Sequence, residues 1–288
     1  MGFLASPAFQ LGKQTGATPQ RVALNTFIGF IVGLAGGLVG LGGAELRIPY
    51  LAGTLALPLN IAIPVNMAVS LITLLAALPA RLYSLNTASL VPFLLETSAL
   101  GLGAAAGAYM GVSVLKLLSP RALRRAVFVL LLALGLVMMA EAVLPFTPVG
   151  IFRSSALLKV GSGLALGFLI GAISGVLGVA GGEIIIPTLI LGFGAPVKAA
   201  GSLGQMVSIP TVVTSLIRHY RAGRLDDREI MLRLIVPMGA GAVIGAIAGG
   251  LLAHYAPASL LKAFLGVVLI ASSVKVFAKR DPVPAERR

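Results

Sequence analysis

The chain has 288 residues, 58% of them from the hydrophobic set and 11% charged, with 36 glycines and neither cysteine nor tryptophan. Soluble domains run at roughly 45–50% apolar and about 25% charged, so these side chains cannot cover a water-soluble globule, and a mean hydropathy of +1.02 agrees. Lacking cysteine, the chain has no disulfide framework, thiolate nucleophile or Cys-ligated metal; its net charge of +13, carried by Lys and Arg at the ends of apolar runs, reads as membrane topology rather than a nucleic-acid surface.

An integral membrane protein of this length has room for about eight to ten segments of roughly 20 residues and for no sizeable soluble domain. Residues 1–21 read as a retained N-terminal tail, with no basic-then-apolar leader pattern. A first transmembrane repeat over 22–144 opens with Val22–Ala44, uninterrupted by charge. Pro49, Pro58 and Pro64 then divide the next apolar stretch into a short segment, 46–58, and a full helix, 61–83. Thr97–Leu115 and Ala126–Ala140 complete the unit. A linker, 145–156, leads to a second repeat over 157–277. It comprises Val160–Gly182, a short segment at 184–196, Ala199–Ile217, Leu234–Ala253 and a last helix ending near Phe277, before a basic tail at 278–288.

The repetition is explicit. GLVGLGGAELRIPYL at Gly37–Leu51 aligns without gaps with GVLGVAGGEIIIPTL at Gly175–Leu189, matching Gly37/Gly175, Gly40/Gly178, Gly43/Gly181, Glu45/Glu183 and Pro49/Pro187. With small slips, Asn66-Met67 lies over Gln205-Met206, and Arg81 over Arg218. Four basic clusters, around Lys13/Arg21, Lys116–Arg125, Arg218–Arg233 and Lys275–Arg288, are assigned to the cytoplasm. The Ser84–Ser89 turn, the linker and the His254–Ala258 turn go outside. Each unit then crosses an odd number of times, so the repeats are inverted. Parity leaves open whether the short segments cross or are re-entrant.

The Gly-rich turns are the main candidate site. Gly40, Gly42 and Gly43, with Ala44, and in the second copy Gly178, Gly181 and Gly182, permit positive φ and close approach. Helix starts behind them would offer free N–H groups to an anion; packing alone is the competing explanation. Matched clusters in inverted halves favour a midplane substrate site. Glu45 and Glu183 are coupling or gating candidates, with N–H acceptance at the short helix, or for Glu45 pairing with Arg47, as structural alternatives. Arg47 has no basic counterpart, Ile185 standing in its place. Asn66 and Gln205 either contact an oxyanion or bridge helices, and Ser70 and Ser208 add hydroxyls. Arg81, Arg218, His219 and His254 are expected at the interface.

No nucleophile elbow, zinc-protease motif or P-loop is present. The residues therefore predict an all-α polytopic membrane protein of two inverted repeats, not an enzyme. It would act as a secondary transporter of a small anion by alternating access, with no cofactor and a proton or sodium as coupling ion. An anion channel and a non-transporting membrane scaffold are the rival readings. Expected partners are the substrate anion and the lipid bilayer, without nucleic acid; a homo-oligomer is left open.

The doubled motif, with the two-unit organisation over about 22–277, resembles the TauE/SafE (sulfite exporter) family of membrane transporters. The resemblance implies transport of sulfite, organosulfonates or related small anions, and a multi-pass protein of a bacterial-type inner membrane with both termini cytoplasmic. Ala44 opposite Gly182 and Arg47 opposite Ile185 depart from strict symmetry between the copies.

Overall fold

The computed structural model describes residues 19–55, 57–85, 87–115, 120–144, 150–152, 154–221, 229 and 231–278. The expectations for 1–18, for 145–149 and for the tail from 279 onward lie outside these residues. The described chain is helical throughout: α1 (Pro19–Val39), α2 (Ala44–Ile48), α3 (Leu59–Ser84), α4 (Leu94–Leu115), α5 (Pro120–Val143), α6 (Ala156–Leu177), α7 (Gly182–Pro187), α8 (Val197–Arg221), α9 (Val236–Leu252) and α10 (Ala258–Ala278). α2 and α7 continue as π-helical turns at Pro49–Thr54 and Thr188–Gly192. Among the described residues, six helices are long and apolar enough to cross a membrane, and α5 and α10 add 24 and 21 residues. The protein is an all-α polytopic membrane protein.

Glycine seams set the helix directions. Along α1, a Cβ added at Gly29, Gly33 or Gly37 would collide with Met238, Ala242 or Ala246 of α9. From the other side, Gly241, Gly245 and Gly249 sit against Thr26, Phe30 and Leu34. The numbers rise together, so α1 and α9 are parallel. The same small-residue rungs join α4 to α6, where Gly103 and Gly107 face Leu164 and Phe168, and Gly167 and Gly171 face Leu100 and Ala104. In a bilayer there is little hydrophobic drive between helices, so backbone approach at glycine supplies the packing.

These directions establish the inversion. α3 runs parallel to α9, since Gly239 meets Ile72 and Gly250 meets Ala80. α4 follows α3 through a short stretch containing two 3₁₀ turns, too short to return along the 26 residues of α3, so α4 is antiparallel to it. Hence α1, α3 and α9 point one way and α4 and α6 the other, and the first helices of the two halves are opposed. α5 and α10 pair antiparallel, Gly135 against Gly266 and Glu141 against Lys262.

The short segments run back alongside the helices that precede them. In the first half the chain descends beside α1, with Gly43 next to Val32 and Tyr50 Oη donating to Asn25 Oδ1 at 2.6 Å. In the second, Ile151 and Phe152, ahead of α6, donate to Leu191 O and Gly192 O. Each broken segment therefore ends level with the start of the helix that precedes it.

The seams give a direct stability test within α6. A Cβ at Gly171 would fall onto the Ala104 carbonyl, while one at Gly161 meets nothing within 4 Å. Gly171→Ala should lower stability by about 1–3 kcal/mol through overpacking. Gly161→Ala should raise it by roughly 0.5–1 kcal/mol. Thermal unfolding of the two purified variants in detergent measures the contrast.

Candidate functional site

α1 and α6 end alike. Gly40 has φ +100° and Gly178 φ +74°. The N–H groups of Gly40 and Leu41 donate to Gly36 O, both at 2.8 Å, and those of Gly178 and Val179 to Ser174 O at 2.9 and 3.3 Å. Left-handed glycines at Gly43 (φ +71°) and Gly181 (φ +79°) then restart the chain as α2 and α7. Gly42 and Gly182 serve a different need, close approach. A Cβ at Gly42 would lie 2.9 Å from Ala180 Cβ, and one at Gly182 would lie 3.2 Å from Leu41 Cδ2. The two turns touch, which brings Gly40, Gly42, Gly43 and Ala44 together with Gly178, Gly181 and Gly182.

Asn66 ties the turns to each other. Fully buried on α3, its Nδ2 donates to Ala44 O at 3.1 Å and to Gly178 O at 3.0 Å, one carbonyl from each half. Of the two roles open to it in the sequence, the structure displays the bridging one. Glu45 and Glu183, in the first turns of α2 and α7, are buried at 5% and 2% exposure.

Arg47 is the residue whose importance the sequence underrated. Its side chain is fully buried. Nη1 donates to Asn66 O, Asn66 Oδ1 and Ser70 Oγ at 3.2, 3.3 and 2.9 Å. Nη2 donates to Gly42 O at 2.7 Å and Thr73 Oγ1 at 2.9 Å. A guanidinium presents its donors in a rigid fork, so one side chain fixes the turn against two successive turns of α3. Glu45 is close enough to act on it electrostatically. The available signal was a lone arginine in an apolar motif together with Asn66, Ser70 and Thr73 on one face of the next helix.

Arg81 corrects an expectation outright. Rather than an interfacial anchor it is a fully buried clamp. Nη1 donates to Gly37 O at 2.9 Å and Leu38 O at 2.7 Å, Nη2 to Lys198 O at 2.8 Å, and Nε to Ser202 Oγ at 3.1 Å. The unpaired C-terminal carbonyls of α1 need donors, and in an apolar interior a cation satisfies them better than water can. Its counterpart Arg218 is half-exposed at the end of α8 and makes no hydrogen bond to a described residue. His219, also expected at the interface, is buried at 8% exposure, because it falls on the inner face of α8; His254 is exposed, edge-on to Tyr255.

The second half is furnished differently. Gln205 is fully buried on α8, yet neither its Nε2 nor its Oε1 has a hydrogen-bond partner, and the same holds for Ser208 Oγ and Ser174 Oγ. Two ion pairs not legible in the sequence join other helices, Lys159–Glu96 at 2.6 Å and Lys262–Glu141 at 2.9 Å. Each spans a helix pair from opposite halves, so no local spacing announces it.

No curated protein and no solved structure matched the chain. The family model described as "Sulfite exporter TauE/SafE" matches residues 2–138 and 163–288, including both Gly-rich turns and the helices that frame them. With two inverted halves meeting at two matched turns, and with that match spanning nearly its whole length, the chain belongs to the sulfite exporter TauE/SafE family.

Proposed function

We propose that this protein is a secondary transporter of a small oxyanion, sulfite or an organosulfonate, working by alternating access about a midplane site between the two turns. Its family is one of membrane transporters, not enzymes. One observation carries the finer reading: two broken segments, at corresponding points of inverted halves, meet turn to turn among buried polar side chains. The proposed anion donors are backbone N–H groups of residues 42–44 and 180–182. Gly40 and Gly178 shape the turns, their own N–H groups being used in the helix caps. Asn66 sets the spacing of the turns and Arg47 supplies positive charge beside them. Gln205 faces the substrate path, and Glu45 and Glu183 are the candidates for coupling.

The unequal arginines support alternation over a fixed pore. Inverted halves exchange conformations as the transporter changes state. Arg81 clamped and Arg218 released is one state of such a pair, closed at the Ser84 end of α3. With the basic clusters on the cytoplasmic side, that end is extracytoplasmic, and both termini are on the cytoplasmic side of a bacterial-type inner membrane.

The test is uptake of sulfite, thiosulfate, sulfonates and carboxylates by proteoliposomes. Saturable, gradient-driven flux of one of these anions is expected. Gly181→Val should reduce it at least about tenfold with insertion intact, since a left-handed backbone costs a branched residue about 1–2 kcal/mol. Unsaturable flux without a coupling gradient would make the protein a channel. Flux of none of these anions would overturn the reading in favour of a scaffold.

A further inference from the structure

We infer that the second half binds a monovalent cation where the first half holds the Arg47 guanidinium. In the first half the guanidinium is received by Gly42 O, Asn66 O and Oδ1, Ser70 Oγ and Thr73 Oγ1. The hydroxyl protons of Ser70 and Thr73 are committed to Asn66 O and Val69 O, each at 2.8 Å. Only their lone pairs therefore face the charge.

The second half repeats this arrangement without its cation. Gln205, Ser208 and Thr211 recur every three residues on one face of α8, all fully buried. Thr211 Oγ1 gives its proton to Val207 O at 2.8 Å, as Thr73 does to Val69 O. Ile185 occupies the place of Arg47, fully buried and directed the same way. Ile185 Cδ1 lies 3.4 Å from where a Cβ on Gly181 would be, and Arg47 Nη2 lies 2.9 Å from the corresponding point on Gly43. Ser208 Oγ borders the turn, 3.7 Å from the same point on Gly182.

A second, independent observation points to a ligand. Both amide atoms of Gln205 and the Ser208 hydroxyl are buried with no protein partner, whereas Asn66 is fully engaged. Buried polar groups are as a rule satisfied. The oxygens of the set fit a cation; Gln205 Nε2, a donor, is not among its ligands. Thr211 can only accept, and the Gln205 carbonyl and the hydroxyl oxygens are hard oxygen donors of the kind that binds alkali and alkaline-earth ions beside unwound transporter helices. In the transporter proposed above, on which this role rests, the bound cation is the coupling ion.

The experiment is thermal unfolding of the purified full-length protein in detergent, without substrate, as sodium chloride replaces choline chloride at constant ionic strength. Sodium at ten times its dissociation constant should raise the melting temperature by about 3 °C. Gln205→Leu and Ser208→Ala remove polar atoms that have no protein partner, so both should fold with the basal melting temperature held or raised and the sodium response lost. Ile185→Arg should also lose the response, its guanidinium filling the site. Absence of a response in the unsubstituted protein, or a response that survives both Gln205→Leu and Ser208→Ala, would overturn the inference. If Ile185→Arg does not fold, the other two variants decide. Anion flux without a sodium response would leave the transporter reading standing and remove the cation site; a sodium response without anion flux would do the reverse.

Discussion

Arg47→Leu is expected to be the most damaging single substitution at the centre of the protein, lowering stability by about 3–5 kcal/mol, the usual cost of stranding the partners of a buried charge. Ser70 and Thr73 would keep their backbone bonds. Gly42 O would lose its Arg47 donor, as would Asn66 Oδ1, and Glu45 would lose a nearby positive charge. Since Asn66 also bridges Ala44 and Gly178, loosening it should reach the second half. Arg47→Lys should be intermediate: a lysine keeps the charge but lacks the planar fork that reaches Gly42 O on one side and Ser70 on the other. Thermal unfolding in detergent reads both. A melting temperature unchanged in Arg47→Leu would contradict the bonding described for this residue.

Gly40→Ala should nearly abolish transport. Its φ of +100° lies outside the range that a side chain tolerates. A Cβ there would also fall onto the backbone of Gly201 at the start of α8. Backbone strain of about 1–2 kcal/mol and overpacking of about 1–3 kcal/mol act at one point, where α1 of the first half meets α8 of the second. The Arg81 clamp shares that junction, so separating the two helices would also disturb the bonds to Gly37, Leu38, Lys198 and Ser202. Gly53→Ala is the matched control, because nothing lies within 4 Å of the added atom, and it should transport normally. Flux per inserted protein in proteoliposomes separates the two. Equal flux would show that the Gly40 turn accommodates a side chain.

The repeat was legible because glycine at a left-handed turn and proline at a helix restart are local requirements, and both halves carry them at the same spacing. Inversion followed from counting charges at segment ends. Neither reasoning step could tell whether the short segments cross. Nor could they tell where Tyr50 and Gly192 end relative to the helices preceding them, which is a matter of packing. Asn66 and Gln205 looked equivalent in the sequence, yet one is saturated with hydrogen bonds and the other has none. Part of the difference lies at a third position, where Arg47 donates to Asn66 Oδ1 and the other half has isoleucine.

By itself the sequence determined the solvent, the helical class, the twofold repeat and the two matched Gly-rich turns. Those follow from transfer free energies and backbone constraints, which are properties of residues and their near neighbours. Only the tertiary structure decided what the buried arginines do. A hydropathy pattern registers the cost of placing Arg81 in a membrane and so expects it at the surface. Acceptors on α1 and on α8, the latter as far as 121 positions away, offset that cost, and those partners exist only once the inverted halves have packed.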